Sequence, residues 1–110
     1  MDWLHWRKGR QNTGYEKMLL FQSKLLMCDM YLLWYAEGSS IPVHTDPVPG
    51  YRHFRLNVVL RSPQAGGEFE SAKTLINTKR IKLFRSDFPH SVTEIRRGSR
   101  LLLSIGLCIR

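Results

Sequence analysis

The stretch Met30-Tyr31-Leu32-Leu33-Trp34-Tyr35-Ala36-Glu37-Gly38-Ser39-Ser40-Ile41-Pro42-Val43-His44-Thr45-Asp46 decides how the chain is read. Its first six residues are a continuous apolar and aromatic run of the length of a buried strand. Glu37 to Ser40 is a turn. Ile41 to Asp46 reads as extended, with Pro42 suited to an edge or a strand start. In extended backbone, residues i and i+2 share a face. His44 and Asp46 therefore present an imidazole and a carboxylate side by side, and Thr45 faces away.

Downstream, the same texture repeats. Phe54 to Leu60 is a strand, Ser62 to Gly67 turns the chain, and Glu68 to Glu70 and Thr74 to Asn77 are short strands. Gly66-Gly67 reads as a tight bend or a close backbone approach. Arg80 to Phe84 alternates, which predicts one buried face. Asp87 to His90 turns around Pro89, Ser91 to Ile95 alternates again, and Gly98 leads into a last strand, Arg100 to Cys108. Short strands at regular spacing predict a sandwich or barrel. Tyr31, Trp34, Phe69 and Phe84 are expected in its core. Upstream, Met18, Leu19, Phe21, Leu25 and Leu26 form a partly helical stripe, which predicts a helix from Tyr15 to about Met27, starting near Thr13-Gly14. Residues 1–13 read as an irregular lead-in. The 110 residues make one domain. Residues 1–30 are the lead-in and a helix packed on the barrel, and residues 31–110 are the barrel.

Seventeen Lys and Arg against nine Asp and Glu give a formal charge of +8. Such a chain attracts nucleic acid or acidic peptides. The charges are scattered in short clusters, however, and read first as solvated faces. No apolar run is long enough to span a bilayer, and the first residues lack the features of a secretion signal. A cytoplasmic protein without a membrane partner is the expectation. Cys28 and Cys108 are read as free thiols in a reducing compartment, with a disulfide left open because sequence separation does not give spatial distance.

His90 supplies a second imidazole, and Arg100 an always-charged fork suited to a carboxylate. Two histidines and one carboxylate occupy one face of a metal and leave the opposite positions open. Non-haem Fe(II) oxygenases use that arrangement. Ser104, four residues beyond Arg100, shares its face if the strand is regular.

Taken together, Tyr35 to Asp46, Arg55-Leu-Asn-Val-Val-Leu60, Gly66-Gly67-Glu68-Phe69, His90-Ser-Val and Gly98-Ser-Arg100 resemble the 2-oxoglutarate and Fe(II)-dependent oxygenase superfamily, most of all its prolyl-hydroxylase-like branch. The resemblance covers roughly residues 31–108. It implies a mainly β fold, a double-stranded β-helix of jelly-roll or cupin-like form. It implies that His44, Asp46 and His90 bind Fe(II). It implies that Arg100 takes the far carboxylate of 2-oxoglutarate, in the same barrel mouth as the metal ligands but deeper, with Ser104, Tyr35 and Asn57 as further cofactor-binding residues. Val59 stands near a position where some relatives carry a tyrosine. Arg55, Tyr51, Arg52 and His53 are expected toward the prime substrate, the last three from an entrance loop after Asp46.

The implied activity is a dioxygenase using O₂ as second co-substrate, with ascorbate as a supporting reductant. It would hydroxylate a C–H bond of an amino-acid side chain in a peptide, protein or free amino acid. Two other readings stay open: a nucleic-acid base demethylase or hydroxylase with the same site, and a catalytically silent jelly-roll binding module. The sequence leaves the oligomeric state open.

Overall fold

A computed structural model describes residues 7–8 and 15–110; the expected lead-in and the Thr13-Gly14 helix start lie largely outside the described residues. Among the described residues twelve strands follow one another: β1 (Arg7–Lys8), β2 (Tyr15–Ser23), β3 (Cys28–Tyr35), β4 (Ile41–His44), β5 (Arg52–Arg61), β6 (Ala65–Gly66), β7 (Phe69–Ser71), β8 (Thr74–Asn77), β9 (Ile81–Arg85), β10 (His90–Val92), β11 (Ile95–Arg97) and β12 (Arg100–Ile109). A seven-stranded sheet has the order β1-β2-β3-β12-β5-β9-β8, a three-stranded sheet the order β4-β10-β7, and β11 pairs with β6. All the pairings are antiparallel. The large sheet supplies Tyr15, Tyr35 and Leu102 to the buried cluster, the small sheet supplies Ile41 and Val92, and β11 supplies Ile95. The core therefore lies between packed sheets, as expected for a jelly roll. Among the described residues, no helix is long and apolar enough to cross a membrane.

The expected helix over Tyr15 to Met27 is instead β2 and a hairpin turn. β2 pairs along β3, from Tyr15 opposite Tyr35 to Ser23 opposite Cys28, with a bulge between Leu19 and Phe21. The Tyr15 and Tyr35 rings stack 5.1 Å apart. Helix preference differs among ordinary residues by at most about 0.7 kcal/mol each. Here the edge of β3 offers a full ladder of backbone partners, and that ladder decides the outcome. Leu25 and Leu26, counted in the helical stripe, lie at the hairpin tip, 91% and 62% exposed.

Register fixes four rows on the inner face of the large sheet. Asp29, Gly106, Arg55 and Phe84 form the first, and Tyr31, Ser104, Asn57 and Lys82 the second. Leu33, Leu102 and Val59 form the third, and Tyr35 and Arg100 the fourth. Leu102, Ser104 and Phe84 are buried within these rows. The opposite face carries Leu101, Leu103, Ile105, Leu107 and Ile109 of β12, beside Met30, Leu32 and Trp34 of β3. Of the aromatic set expected in the core, Phe84 is buried there, Phe69 packs against the core cluster, and Trp34 faces the other way. In β9 it is Phe84 that is buried, whereas Ile81 is exposed. This brings Lys82 inward, contrary to its reading as a solvated charge.

Gly66 and Gly67 have φ of +78° and +68°, and a Cβ on Gly66 would lie 2.0 Å from the Glu94 carbonyl oxygen. The double glycine is a bend and a close approach together. Cys28 and Cys108 are free thiols. They project to opposite faces of the sheet by the strand alternation.

Candidate metal centre

His44 closes β4 and His90 opens β10, and the ladder sets them directly opposite each other. Their ring centroids are 4.3 Å apart. His44 Nδ1 lies 2.7 Å from the Pro42 carbonyl oxygen, and His90 Nδ1 lies 2.9 Å from that of Phe88. A carbonyl only accepts, so each Nδ1 carries the proton and donates. In the neutral imidazole each Nε2 then keeps its lone pair, the tautomer a metal ligand needs.

Asp46 completes the set. Its Oδ2 is 3.5 Å from His44 Nε2 and 3.4 Å from His90 Nε2. The three donors all lie within 4.8 Å of one another. Ligands about 2.1 Å from a common ion, at right angles, stand about 3 Å apart. The site is therefore close to the size a metal requires.

Asp46 is itself positioned by Ser86. The Ser86 hydroxyl donates to Asp46 Oδ2 at 3.2 Å, and the Asp46 N–H donates to the Ser86 carbonyl at 2.9 Å. His53 Nδ1 donates to the Asp46 carbonyl at 2.9 Å, and the Ser86 N–H donates to the His53 carbonyl at 2.8 Å. Ser86 is fully buried. The sequence reading missed it, because a serine between a strand and a turn carries no local mark of such a role.

A cavity of about 470 Å³ lies against His44, Asp46 and His90, and its lining includes Tyr35, His53, Arg55, Asn57 and Ser104. Arg55 donates to Ser104 Oγ at 2.7 Å, and the Ser104 hydroxyl donates to Asn57 Oδ1 at 2.6 Å. The second guanidinium arm of Arg55 pairs with Asp29. Gly106 makes room for this arm, since a Cβ there would lie 2.1 Å from Arg55 Nη2.

Arg100 departs from the expectation of a shared mouth. It lines a second cavity of about 580 Å³. It is 3% exposed, with Cζ 5.2 Å from the Tyr35 ring. Its Nη1 is buried with no hydrogen-bond partner among the described residues. Burial lowers the Arg100 pKa and pushes the Tyr35 phenol up. The cause of the departure is the β12 register: Leu102 intervenes between Ser104 on the first cavity and Arg100 on the second. Tyr51 and Arg52 line neither cavity. Arg52 donates to the Arg110 carbonyl at 2.9 Å, and the Arg110 guanidinium lies 5.4 Å from the Tyr51 ring. Of the residues expected toward substrate, His53 and Arg55 reach the triad's cavity.

No protein-family profile and no curated protein matches the chain. Solved structures do resemble it. An RmlC-like cupin from Desulfovibrio desulfuricans matches with 17% identity and a TM-score of 0.60, over 92% of this chain and 87% of that one. KdgF from a Halomonas species matches with 12% identity and a TM-score of 0.64, over 96% and 87%. The DMSP lyase DddQ from Ruegeria pomeroyi matches with 14% identity and a TM-score of 0.67, over 94% and 56%. At these identities the likeness carries the fold alone, a mainly β jelly roll of the cupin kind.

Proposed function

We propose that this chain is a 2-oxoglutarate- and Fe(II)-dependent dioxygenase that hydroxylates a C–H bond of an amino-acid side chain in a peptide, protein or free amino acid. The observation that carries the reading is the pair of imidazoles, both tethered through Nδ1 and both aimed through Nε2 at one oxygen of Asp46. Two imidazoles and a carboxylate suit Fe(II), with half of its coordination sphere left to small ligands. The buried Arg100 Nη1, without a hydrogen-bond partner among the described residues, suits a carboxylate.

In this reading His44, Asp46 and His90 hold the metal, and Ser86 fixes the carboxylate's orientation. When bound, iron with 2-oxoglutarate and O₂ supplies the oxidising power for C–H hydroxylation, with succinate and CO₂ as co-products. Asn57 and Ser104 present a polar floor to the co-substrate, and Arg100 draws its far carboxylate beyond them. Leu33, Phe69 and Phe84 line the same cavity and keep part of its wall apolar, which limits water near the reacting centre. His53 and Arg55 face the substrate side.

The test is succinate formation from 2-oxoglutarate by protein loaded with Fe(II), with ascorbate present, followed by mass spectrometry of candidate peptides and amino acids for a gain of one oxygen. The wild type is expected to form succinate above a no-protein control, and Asp46→Ala to abolish it. Equal signals from the two proteins remove the reading. Modified bases in nucleic acid, with no modified peptide or amino acid, would reassign the substrate to the base-demethylase alternative.

A further inference from the structure

The cavity against the triad extends well beyond it. His90 stands at one end, its ring 5.1 Å from that of Phe84 on β9. Lys17 of β2 and Tyr31 of β3 line the same space. Lys17 lies opposite Leu33 in the β2–β3 ladder, so it shares the inner face of the large sheet. Its ammonium is 5.5 Å from the centre of the Tyr31 ring, and Arg55 Cζ is 6.0 Å from the same centre. The sheet order runs from β9 through β5 and β12 to β3 and then β2. Neighbouring strands are about 4.8 Å apart, so the strand of Tyr31 stands roughly 14 Å across the sheet from that of Phe84. Lys17 therefore marks the end of the cavity far from the triad.

The charges along this space are unevenly met. Arg55 is committed, with one arm on Ser104 and the other on Asp29. Asp46 is the only carboxylate among the described lining residues, and it belongs to the triad. Lys17 is half-buried and makes no ion pair among the described residues. A cation held in a cleft beside an aromatic face is a ready partner for an anion that enters with a ligand. Between the two ends the wall carries Leu33, Ile41 and Val92, which suit an apolar side chain.

We propose that Lys17 is a specificity-determining residue that binds an acidic side chain of an extended peptide, three or four residues away from the side chain that reaches the triad. The inference rests on the dioxygenase reading and narrows its substrate to an acidic peptide or protein segment. Extended chain covers at most about 3.6 Å per residue, so the span takes about four residues. A free amino acid is too short to occupy both ends. A nucleic-acid strand carries a charge on every phosphate and calls for a run of open cations, whereas of the Lys and Arg lining this cavity only Lys17 is uncommitted among the described residues.

The experiment is capture of short synthetic peptides by immobilised, Mn(II)-loaded protein in the presence of 2-oxoglutarate. The peptides have a randomised central residue and a single Glu, Gln or Lys at each other position, and mass spectrometry reads those retained. A second arm gives the same peptides, and a single-stranded oligonucleotide, to Fe(II)-loaded protein with 2-oxoglutarate and ascorbate. It reads succinate and the gain of one oxygen. The wild type is expected to retain Glu peptides roughly tenfold better than their Gln counterparts when Glu stands three or four residues from the centre, as one charge-assisted hydrogen bond allows. Lys17→Gln should remove that preference, and Lys17→Glu should turn it toward Lys peptides. Lys24→Glu, on the exposed β2–β3 turn, should keep it. A Lys17→Gln protein that melts as the wild type does and still prefers Glu overturns the inference. So does a wild type that forms succinate but retains Glu and Gln peptides alike, or that oxidises only the oligonucleotide. A wild type that forms no succinate overturns the dioxygenase reading, and the substrate inference falls with it.

Discussion

At the residue scale, the candidate ligand set of His44, Asp46 and His90 depends on groups outside the triad. Each imidazole is held by a carbonyl two residues upstream, Pro42 for His44 and Phe88 for His90. Pro42 lies within β4 and Phe88 precedes Pro89 in the turn before β10, so both tethers are local. Asp46 has a more distant support in Ser86, forty residues along the chain. Partners of this kind orient ligands and typically change metal affinity by 10–100-fold when lost. Ser86→Ala is therefore expected to weaken Mn(II) or Zn(II) binding by about tenfold, read by competition with a chelator of known affinity. The fold should be kept, because an alanine fits where a buried serine sat. Unchanged affinity would mean that Asp46 is oriented without the Ser86 hydroxyl.

At the element scale, β12 does the most to organise the site, since it lies between β3 and β5 and contributes to all four inner rows. Its inward residues are Arg100, Leu102, Ser104 and Gly106, of which only Leu102 is a large apolar side chain. Most of the row contacts are polar or charged, so their geometry matters more than their area. Gly106 shows this well. A Cβ at this position would lie 2.1 Å from Arg55 Nη2 and 2.9 Å from Asp29 Oδ1, inside the Arg55–Asp29 pair. Gly106→Ala is expected to cost about 1–3 kcal/mol in urea denaturation, the range for overpacking a filled site. Combined with Arg55→Ala, the cost should fall well below the sum of the two single changes, because the clash and the pair vanish together. Additive costs would place the strain elsewhere on β12.

At the scale of the whole molecule, the inner face of the large sheet mixes polar rows with an apolar one, Leu33, Leu102 and Val59, whereas the outer face of β12 is apolar. The inner face carries Asp29, Arg55, Asn57, Lys82, Arg100 and Ser104, and the outer face carries the leucines and isoleucines of β12. A domain of 110 residues with this arrangement has a modest apolar core. Ligand binding then supplies a large share of its stability through mass action. A metal at a hundredfold excess over its dissociation constant adds about 2.7 kcal/mol, and each kcal/mol moves the melting temperature of such a domain by several degrees. Titration with Mn(II) or Zn(II) is expected to raise the melting temperature by about 10 °C, and a chelator to reverse the rise. Asp46→Ala should abolish the shift. A shift of the same size in that variant would locate the metal at some other group.

The sequence by itself determined those features that local chemistry controls. The grouping of His44, Asp46 and His90 was legible because His44 and Asp46 stand two apart in extended chain at the end of β4, and because a histidine opens a later strand. The bend at Gly66-Gly67 was legible because positive φ selects glycine. Most strands were legible from their alternation and their turns. The tertiary structure decided which face of each strand lies inside and which neighbour it pairs with. Alternation shows that a strand has two faces but does not say which one the core takes. Hence Lys82 points inward beside Phe84 and lines, together with Arg100, a cavity other than the one against the triad. The same reason explains β2: a segment with partial helical periodicity becomes a strand when the edge of β3 waits for a partner. Ser86 is a case of the same kind. Its role comes from a contact across the fold, and no pattern along the chain encodes a contact of that range.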